Sequence, residues 1–541
     1  MFINFADLPA HQNLFLDYLY EFENAERFYK INFRDTDKYA QIFESVSSHE
    51  RYHLSELKNI IKAQYDGKQL SKQTEVNINS LDDDKTIAIV TGQQLGIFGG
   101  PLYTFYKIIT AIKLCAHLKE EHDQYKFIPV FWLEGDDHDF DEVRTTKIID
   151  NTNLLKSISY DDGLDEETNR GPVAEIKLGN NIYDLFNELS ESLRETDFKK
   201  EVLDLLKNHY QPGKTFLEAF YDLLFEFFDE SGLIIFNPTD PRVKKLLKPI
   251  FKKEIEDFRE HSEDVVRTSA DLEEYYHAQI KIKPINIFLN ENEGRFLLEP
   301  VDDEFRLKGK RKKFTKDELL NILKEEPARF SPNVLLRPIC QDFLFPTAMY
   351  IAGPGEVSYF AQVIPMYKEF GLQQPIVYPR SSITILESNH KDIIEKYKLK
   401  FLDFFSEEDT LNEKILGLLS DINVDSAFDD SRKSMMELFE KLKNEIESLD
   451  PTLADAVEKG RDRSLNNVDQ LLGKAKKARE RQHETALRQI EKVRTILYPN
   501  GNLQERELSF IYFAHKYGLD IVKWIFDQVL INKFEHQVIE L

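Results

Sequence analysis

Cysteine is scarce in this sequence: of its 541 residues only Cys115 and Cys340 carry a thiol. Two thiols build no disulfide framework, and the expected setting is a reducing cytoplasm. Cations are also in deficit, with 71 Lys and Arg against 96 Asp and Glu and a formal net charge of −25. So acidic a surface repels polyanions. Nucleic acid is therefore not an expected partner, and any anionic ligand needs a local basic pocket. Long apolar runs are missing, and the stretch 127–133 falls far short of the ~20 residues a membrane span requires. The amino terminus lacks a basic stretch followed by an apolar one, so neither a membrane partner nor a secretory signal is expected. With 21 Gly and 20 Pro the chain is neither collagen-like nor of low complexity. What it has is core material: 41% of residues are hydrophobic, including 40 Phe and 23 Tyr, which excludes wholesale disorder. No period of ~20–50 residues recurs, so the chain is not a solenoid.

The pattern along the chain predicts an α/β protein. From about Leu14 to Lys72 the apolar positions have helical spacing. Thr86-Ile87-Ala88-Ile89-Val90 then reads as a strand buried on both faces, as in a parallel sheet. A glycine-rich loop, 91–100, leads to Pro101 at the first position of a helix that runs to about Leu118. A second buried strand, 127–133, completes a βαβ unit whose ligands belong beyond the carboxyl ends of the strands. Residues 1–145 are read as the first part of the core and 146–330 as inserted segments of mixed character. Within the insertion, 233–236 is strand-like, and the basic run Lys308–Lys313 reads as a solvated loop. The core resumes over 331–424, where the strand 349–352 precedes Gly353-Pro354-Gly355-Glu356, a helix to about Phe370 and a further strand, 375–378. Between 425 and 500 the text is helical and breaks at Pro451. Met435, Leu438, Leu442, Ile446 and Leu449 line one helix. On the other, Leu465, Val468, Leu472, Ala475, Arg479, Gln482, Ala486, Gln489 and Val493 form a heptad seam. The last segment, 501–541, reads as helical and apolar enough to pack on the body.

Four clusters could carry chemistry. In the first loop, Gly92, Gly96 and Gly100 match neither common phosphate fingerprint, yet glycines between a strand and a helix start expose amides to an anion. A tight turn is the plainer explanation of the glycines; the adjacent amides Gln93 and Gln94 favour a ligand, and Lys107 either reaches back towards it or faces solvent. The second cluster follows strand 127–133, where six carboxylates and His138 fall within nine residues, 134–142. Such repulsion calls for a cation: Mg²⁺, a transition metal on His138, or a substrate ammonium group. One His and no nearby Cys argue against structural zinc. Third, Arg337 follows an apolar run and needs an anionic partner if buried. With it stand Gln341, Gly353, Gly355, Glu356 and Tyr359, while Glu356 is also simply favourable at a helix start. Fourth, residues 459–494 hold eleven Lys and Arg against five Asp and Glu, which reads as a charged coiled-coil surface.

Together these motifs resemble the BshC family, the cysteine-adding ligases of bacillithiol biosynthesis. The resemblance rests on Val90-Thr91-Gly92-Gln93-Gln94-Leu95-Gly96, on Gly100-Pro101-Leu102-Tyr103-Thr104 with Lys107, and on Pro129-Val130-Phe131-Trp132 with Asp137-His138-Asp139 and Glu142. Ser331-Pro332-Asn333, Leu336-Arg337-Pro338, Tyr350, Pro499-Asn500-Gly501 and Leu503-Gln504-Glu505-Arg506 extend it to the carboxyl end. Asp136 departs from the family pattern, which has Glu there. The resemblance implies a Rossmann-type parallel-sheet core with inserted connecting segments and a helical coiled-coil domain that dimerises the chain. It also implies a cytoplasmic enzyme that joins cysteine to the amino group of glucosaminyl-malate as an amide.

A free carboxylate must be activated before an amine attacks it, which implies ATP, with either an adenylate or an acyl phosphate between. The core also distantly resembles class I aminoacyl-tRNA synthetases, although neither of their two signature motifs is clear here. On this reading the Gly92–Gly100 loop, Thr104 and Lys107 hold nucleotide phosphates. Asp137, His138, Asp139 and Glu142 hold the substrate ammonium or Mg²⁺, and Arg337 holds a carboxylate, with Arg380 at the next strand end. Two other readings stay open: a metal-dependent phosphohydrolase built on 136–142, and a non-catalytic nucleotide-sensing dimer.

Overall fold

The computed structural model describes residues 1–292, 294–419 and 424–541, so 420–423 of the segment read as 331–424 lie outside the described residues. Its centre is a five-stranded sheet of β1 (Thr86–Gln94), β2 (Lys126–Glu134), β3 (Ile234–Phe236), β4 (Thr347–Ala352) and β5 (Ile376–Pro379). The spatial order is β5-β4-β1-β2-β3 and every pairing is parallel. Numbered from β1, that order is 3-2-1-4-5, the Rossmann arrangement. Ile87, Ala88, Ile89 and Val90 are fully buried. Helices cover both faces of a parallel sheet, so β1 has no polar side to alternate with. Between β1 and β2 runs helix α1 (Leu102–Glu121), which packs on both strands.

Close pairing of these strands depends on one glycine. Gly92 lies opposite Trp132, and a Cβ at 92 would stand 2.8 Å from the Trp132 carbonyl oxygen. β1 consequently continues through Gln93 and Gln94, four residues beyond the expected end at Val90, and carries both amides on the strand itself. Pro101 is the cap residue rather than the first residue of α1.

The insertion differs from its expected boundaries. The strand-like 233–236 belongs to the core, as edge strand β3 beside β2. The rest of the insertion includes an antiparallel sheet built from 287–291, 294–301, 304–307, 313–315 and 330–332, flanked by helix α2 (Lys248–Glu273). The basic run turns between two of its strands and is exposed apart from a half-buried Lys310, as read from the sequence. The core resumes with helix α3 (Leu336–Leu344), β4 and helix α4 (Pro354–Phe370).

The chain forms two compact units, one of residues 1–384 and 502–539, the other of 385–501 and 540–541. The second unit therefore starts some 40 residues before the helical segment read as 425–500. Its long helices are α5 (Val424–Glu447), α6 (Ala454–Gln482) and α7 (Glu484–Leu497), with α5 and α6 packed as a hairpin. Asp450 caps the turn by accepting from the Thr452 amide at 2.9 Å. Leu465, Val468, Leu472, Ala475 and Arg479 are half-buried or buried, in line with the heptad seam. A second break at His483 leaves Gln482 exposed. On α5 it is Met435, Phe439 and Ile446 that are half-buried, while Leu438 and Leu442, and Leu449 just past its end, are exposed. The final segment is not wholly helical. It ends in a strand whose Gln537 and His536 pair with Phe2 and Ile3 at the start of the chain.

Candidate active site

Strand order runs outward from β1 on one side and from β4 on the other, so a crevice opens beyond their carboxyl ends. A cavity of about 330 Å³ lies there, in the first unit. Gly92, Gln93 and Gln94 line it from β1, Gly353, Gly355 and Glu356 from the start of α4, and Tyr103 and Lys107 from α1. Arg337, Tyr359, Arg380 and Arg506 complete the polar wall. Ten of the residues picked out from the sequence thus meet in one place, drawn from segments almost 300 residues apart.

Lys107 does not face solvent. It is 3% exposed, and its ammonium donates to Gly92 O at 2.8 Å and Gln93 Oε1 at 3.0 Å and pairs with Glu356 Oε2 at 2.5 Å. Those three partners use all its donors, so its role is to tie the end of β1 to the start of α4. Glu356 is more than a helix-dipole residue, since it also accepts from Tyr350 Oη at 2.7 Å and the Gly353 amide at 2.8 Å. Burial opposes its charge, but Lys107 and the Gly353 amide hold its carboxyl below the ordinary range. Lys107 itself is lowered by burial, against the pull of Glu356.

Two guanidinium groups are built into the same wall. Arg337 donates to Glu134 Oε2 at 3.1 Å and to Tyr359 Oη at 2.5 Å. The anionic partner required of a buried Arg337 is therefore Glu134 at the end of β2. Arg380 donates to Glu505 Oε1 at 2.7 Å and to the Ser381 carbonyl at 2.9 Å. In both, the buried Nε–H has no acceptor. Arg506 makes no ion pair with any described residue. A buried donor without a partner costs about 1–3 kcal/mol.

The glycine-rich loop contributes less than its sequence suggested. The amides of Gly96 and Gly100 donate to Gln94 O at 2.8 Å and Ile97 O at 3.2 Å. At the start of α1 the Leu102 amide donates to Leu508 O at 2.9 Å. These donors are already engaged, and the loop is a turn with Phe98, Gly99 and Gly100 all at positive φ. Thr104 is fully buried with its hydroxyl unpaired, and Gln341 is fully buried with both amide atoms unpaired; neither lines the cavity.

The acidic segment is dispersed by its partners. Asp136, the residue that departs from the family pattern, is buried and pairs with Lys244 at 2.5 Å, a structural contact. Asp137 Oδ1 accepts from the His138 amide at 2.7 Å, and Asp139 caps a short helix by accepting from the Glu142 amide at 3.2 Å. His138 is exposed, and its Nδ1 lies 3.1 Å from Arg295 NH1. Desolvation of the ring and the Arg295 charge lower its pKa. Arg295 is fixed by Ser331 Oγ at 2.9 Å, Pro332 O at 2.8 Å and the Phe288 ring at 3.7 Å. Among the described residues no three His, Cys, Asp or Glu side chains converge on a metal site. Asp141 and Glu142 of this segment reach a second cavity, one of about 360 Å³ whose lining includes Gly96, Gly100 and Arg506.

Sequence reasoning did not select Tyr103, Arg506, Lys244 or Arg295 as site residues. The first two sit inside motifs quoted above. Lys244 and Arg295 are lone basic residues in the insertion with no pattern to mark them.

Known proteins agree with this architecture. Residues 1–381 match the family described as bacillithiol biosynthesis BshC, N-terminal Rossmann-like domain, and 383–541 match its C-terminal coiled-coil domain. A protein of Salinibacter ruber named "Putative cysteine ligase BshC" is 35% identical over 537 residues, covering 99% of this chain and 97% of that one. Proteins of the same name from Chloroherpeton thalassium and Chlorobaculum tepidum are 34% and 33% identical, covering 86% and 94% of this chain and 85% and 93% of their own. With both domains matched in order and relatives aligned almost end to end, the chain belongs to the BshC family of bacillithiol biosynthesis.

Proposed function

We propose that this chain is an ATP-dependent ligase that joins the carboxyl group of cysteine to the amino group of glucosaminyl-malate. The observation that carries the reading is the wall of the first cavity. Arg337 and Arg380 both line it, and Arg506 stands beside them without an ion pair to any described residue, in a protein of net charge −25. That is a site for phosphate and carboxylate oxygens at the switch point of a Rossmann sheet.

A cysteine carboxylate oxygen attacks a phosphorus of ATP, and either pyrophosphate or ADP leaves. The acceptor amine, having lost a proton, attacks the acyl carbon and expels AMP or phosphate. One C–N bond forms, one phosphoanhydride bond breaks, and the amine gives up a second proton to the medium. Arg337 and Arg380 neutralise charge on the transferred phosphoryl oxygens, while Lys107 and Glu356 keep the end of β1 and the start of α4 in register around them. Among the described residues no three carboxylates of 134–142 converge into a cage for Mg²⁺. The same dispersal counts against a hydrolase built on 136–142. The exposed Leu438 and Leu442 on α5, with Leu449 just past its end, support the view that the second unit dimerises the chain.

Mass spectrometry of the protein with ATP, Mg²⁺, cysteine and glucosaminyl-malate tests the reading. An amide product with AMP or ADP supports it, and the nucleotide distinguishes the two intermediates. Nucleotide binding without product would favour the sensing dimer, and ATP loss independent of cysteine the hydrolase.

A further inference from the structure

The second cavity adjoins the first. Gln93, Gln94, Tyr103 and Arg506 line both, and they form the partition between them. The partition is stiff, because Gln93 Nε2 donates to Gln94 Oε1 at 2.5 Å and to Tyr103 Oη at 3.1 Å. The charges around the second cavity cancel in pairs, with two exceptions. Lys147 pairs with Glu507 at 2.6 Å, and Asp141 with Arg144 at 2.7 Å. Left over are Glu142, whose carboxylate receives only the neutral Gln94 amide at 3.3 Å, and Arg506, which has no ion pair with any described residue. No ion pair joins these two to each other. One free carboxylate and one free guanidinium on the same cavity complement a ligand that carries both an ammonium and an anionic group.

On the ligase reading above, we propose that this second cavity is the acceptor subsite. It takes a small amine that also bears a carboxylate, with the ammonium on Glu142 and the carboxylate on Arg506. The amine is thereby held at the partition, across which the activated acyl group lies in the first cavity. Glu142 suits the ammonium for a second reason: desolvation and the like charges of Asp137 and Asp139 raise its carboxyl, a cost to the carboxylate that a bound cation would relieve. The anion on Arg506 has two conceivable sources, the carboxylate of the acceptor or a phosphate of the nucleotide, since Arg506 borders both cavities.

Calorimetric titration of the full-length protein separates them. The probes are glucosaminyl-malate, glucosamine without the malate, N-acetylated glucosaminyl-malate, and ATP with Mg²⁺. Both residues are exposed, so Arg506→Gln and Glu142→Gln are expected to fold as the parent does. Arg506→Gln should weaken glucosaminyl-malate about 10- to 100-fold and leave glucosamine unchanged. Glu142→Gln should weaken glucosaminyl-malate by a similar factor and leave the N-acetylated compound unchanged. ATP should bind Glu142→Gln as it binds the parent. Parent-like affinity for glucosaminyl-malate in both variants overturns the subsite and leaves the ligase reading intact. If Arg506→Gln weakens ATP instead, the anion is a phosphate and the acceptor assignment fails. A parent protein that binds neither ATP nor glucosaminyl-malate overturns the ligase reading, and this inference with it.

Discussion

Charge is handled in opposite ways by the Rossmann unit and by the helical hairpin. In the first, Arg380 and Glu505 pair with side chains 3% and 1% exposed, and Lys107 meets Glu356 with a lysine 3% exposed. In the hairpin, Arg432 and Asp469 bridge two helices while 34% and 51% exposed, and Lys459 and Asp455 pair at 69% and 72%. Removing a charge from water costs several kcal/mol, so a buried pair persists only where geometry and extra hydrogen bonds offset that cost. An exposed pair contributes about 0–1 kcal/mol and tolerates change. The buried pairs therefore mark where the molecule needs atoms held in place, and the exposed ones mark a solvated surface.

The largest expected effect comes from removing one partner of a core pair. Glu356→Ala strands the Lys107 ammonium, and we expect a loss of about 3–5 kcal/mol in urea unfolding. Replacing both, as Lys107→Met with Glu356→Leu, should cost less than the single change, because no lone charge is left. A double variant as unstable as Glu356→Ala would break the comparison. Next in size is Gly92→Ala. Its Cβ would press on the backbone oxygen of Trp132, and overpacking of this kind costs about 1–3 kcal/mol.

A smaller, pH-dependent effect is expected at Asp342, where burial pushes the carboxyl up to about 7 although Tyr367 Oη donates to it at 2.6 Å. An unfolded aspartate titrates near 3.9, so between about pH 4 and 7 the folded chain holds a proton that the unfolded chain releases. Stability then falls as pH rises through that window. Asp342→Asn cannot titrate, so its melting temperature should gain on the parent's from pH 4 to 7 and hold a constant difference above. Parallel melting curves for the two proteins would contradict the assignment. At the bottom of the scale, Arg432→Gln in the hairpin should leave the urea-unfolding midpoint almost unchanged.

Much of the core was legible in the sequence because the signals are local. Consecutive β-branched and apolar residues at 87–90 can only be a doubly covered strand, and the turn at 91–100 follows it directly. β3 was seen as a strand but assigned to the insertion, since three residues carry no information about which sheet they join. The last strand was missed because its pairing partner is the opposite end of the chain. In the hairpin the heptad seam of α6 was readable, but on α5 Phe439 faces its neighbour in place of Leu438, and the break at His483 was not marked by Pro or Gly.

At the site, residue type together with the family resemblance marked Gly92, Gln93, Gln94, Lys107, Arg337, Glu356 and Arg380 as candidates, since glycines and amides at a strand end suggest a ligand while Lys107 and Glu356 each also had a plainer reading. Composition by itself determined that an anion could bind only in a local basic pocket. Which charges remain available was decided by tertiary contacts. Lys107 is saturated by Gly92, Gln93 and Glu356, Asp136 by Lys244 and Glu134 by Arg337, whereas Arg506 and Glu142 are left over. Each of those pairings except that of Lys107 to its own loop joins residues more than 100 positions apart. Local spacing specifies where a side chain starts, and only the packed fold specifies what it meets.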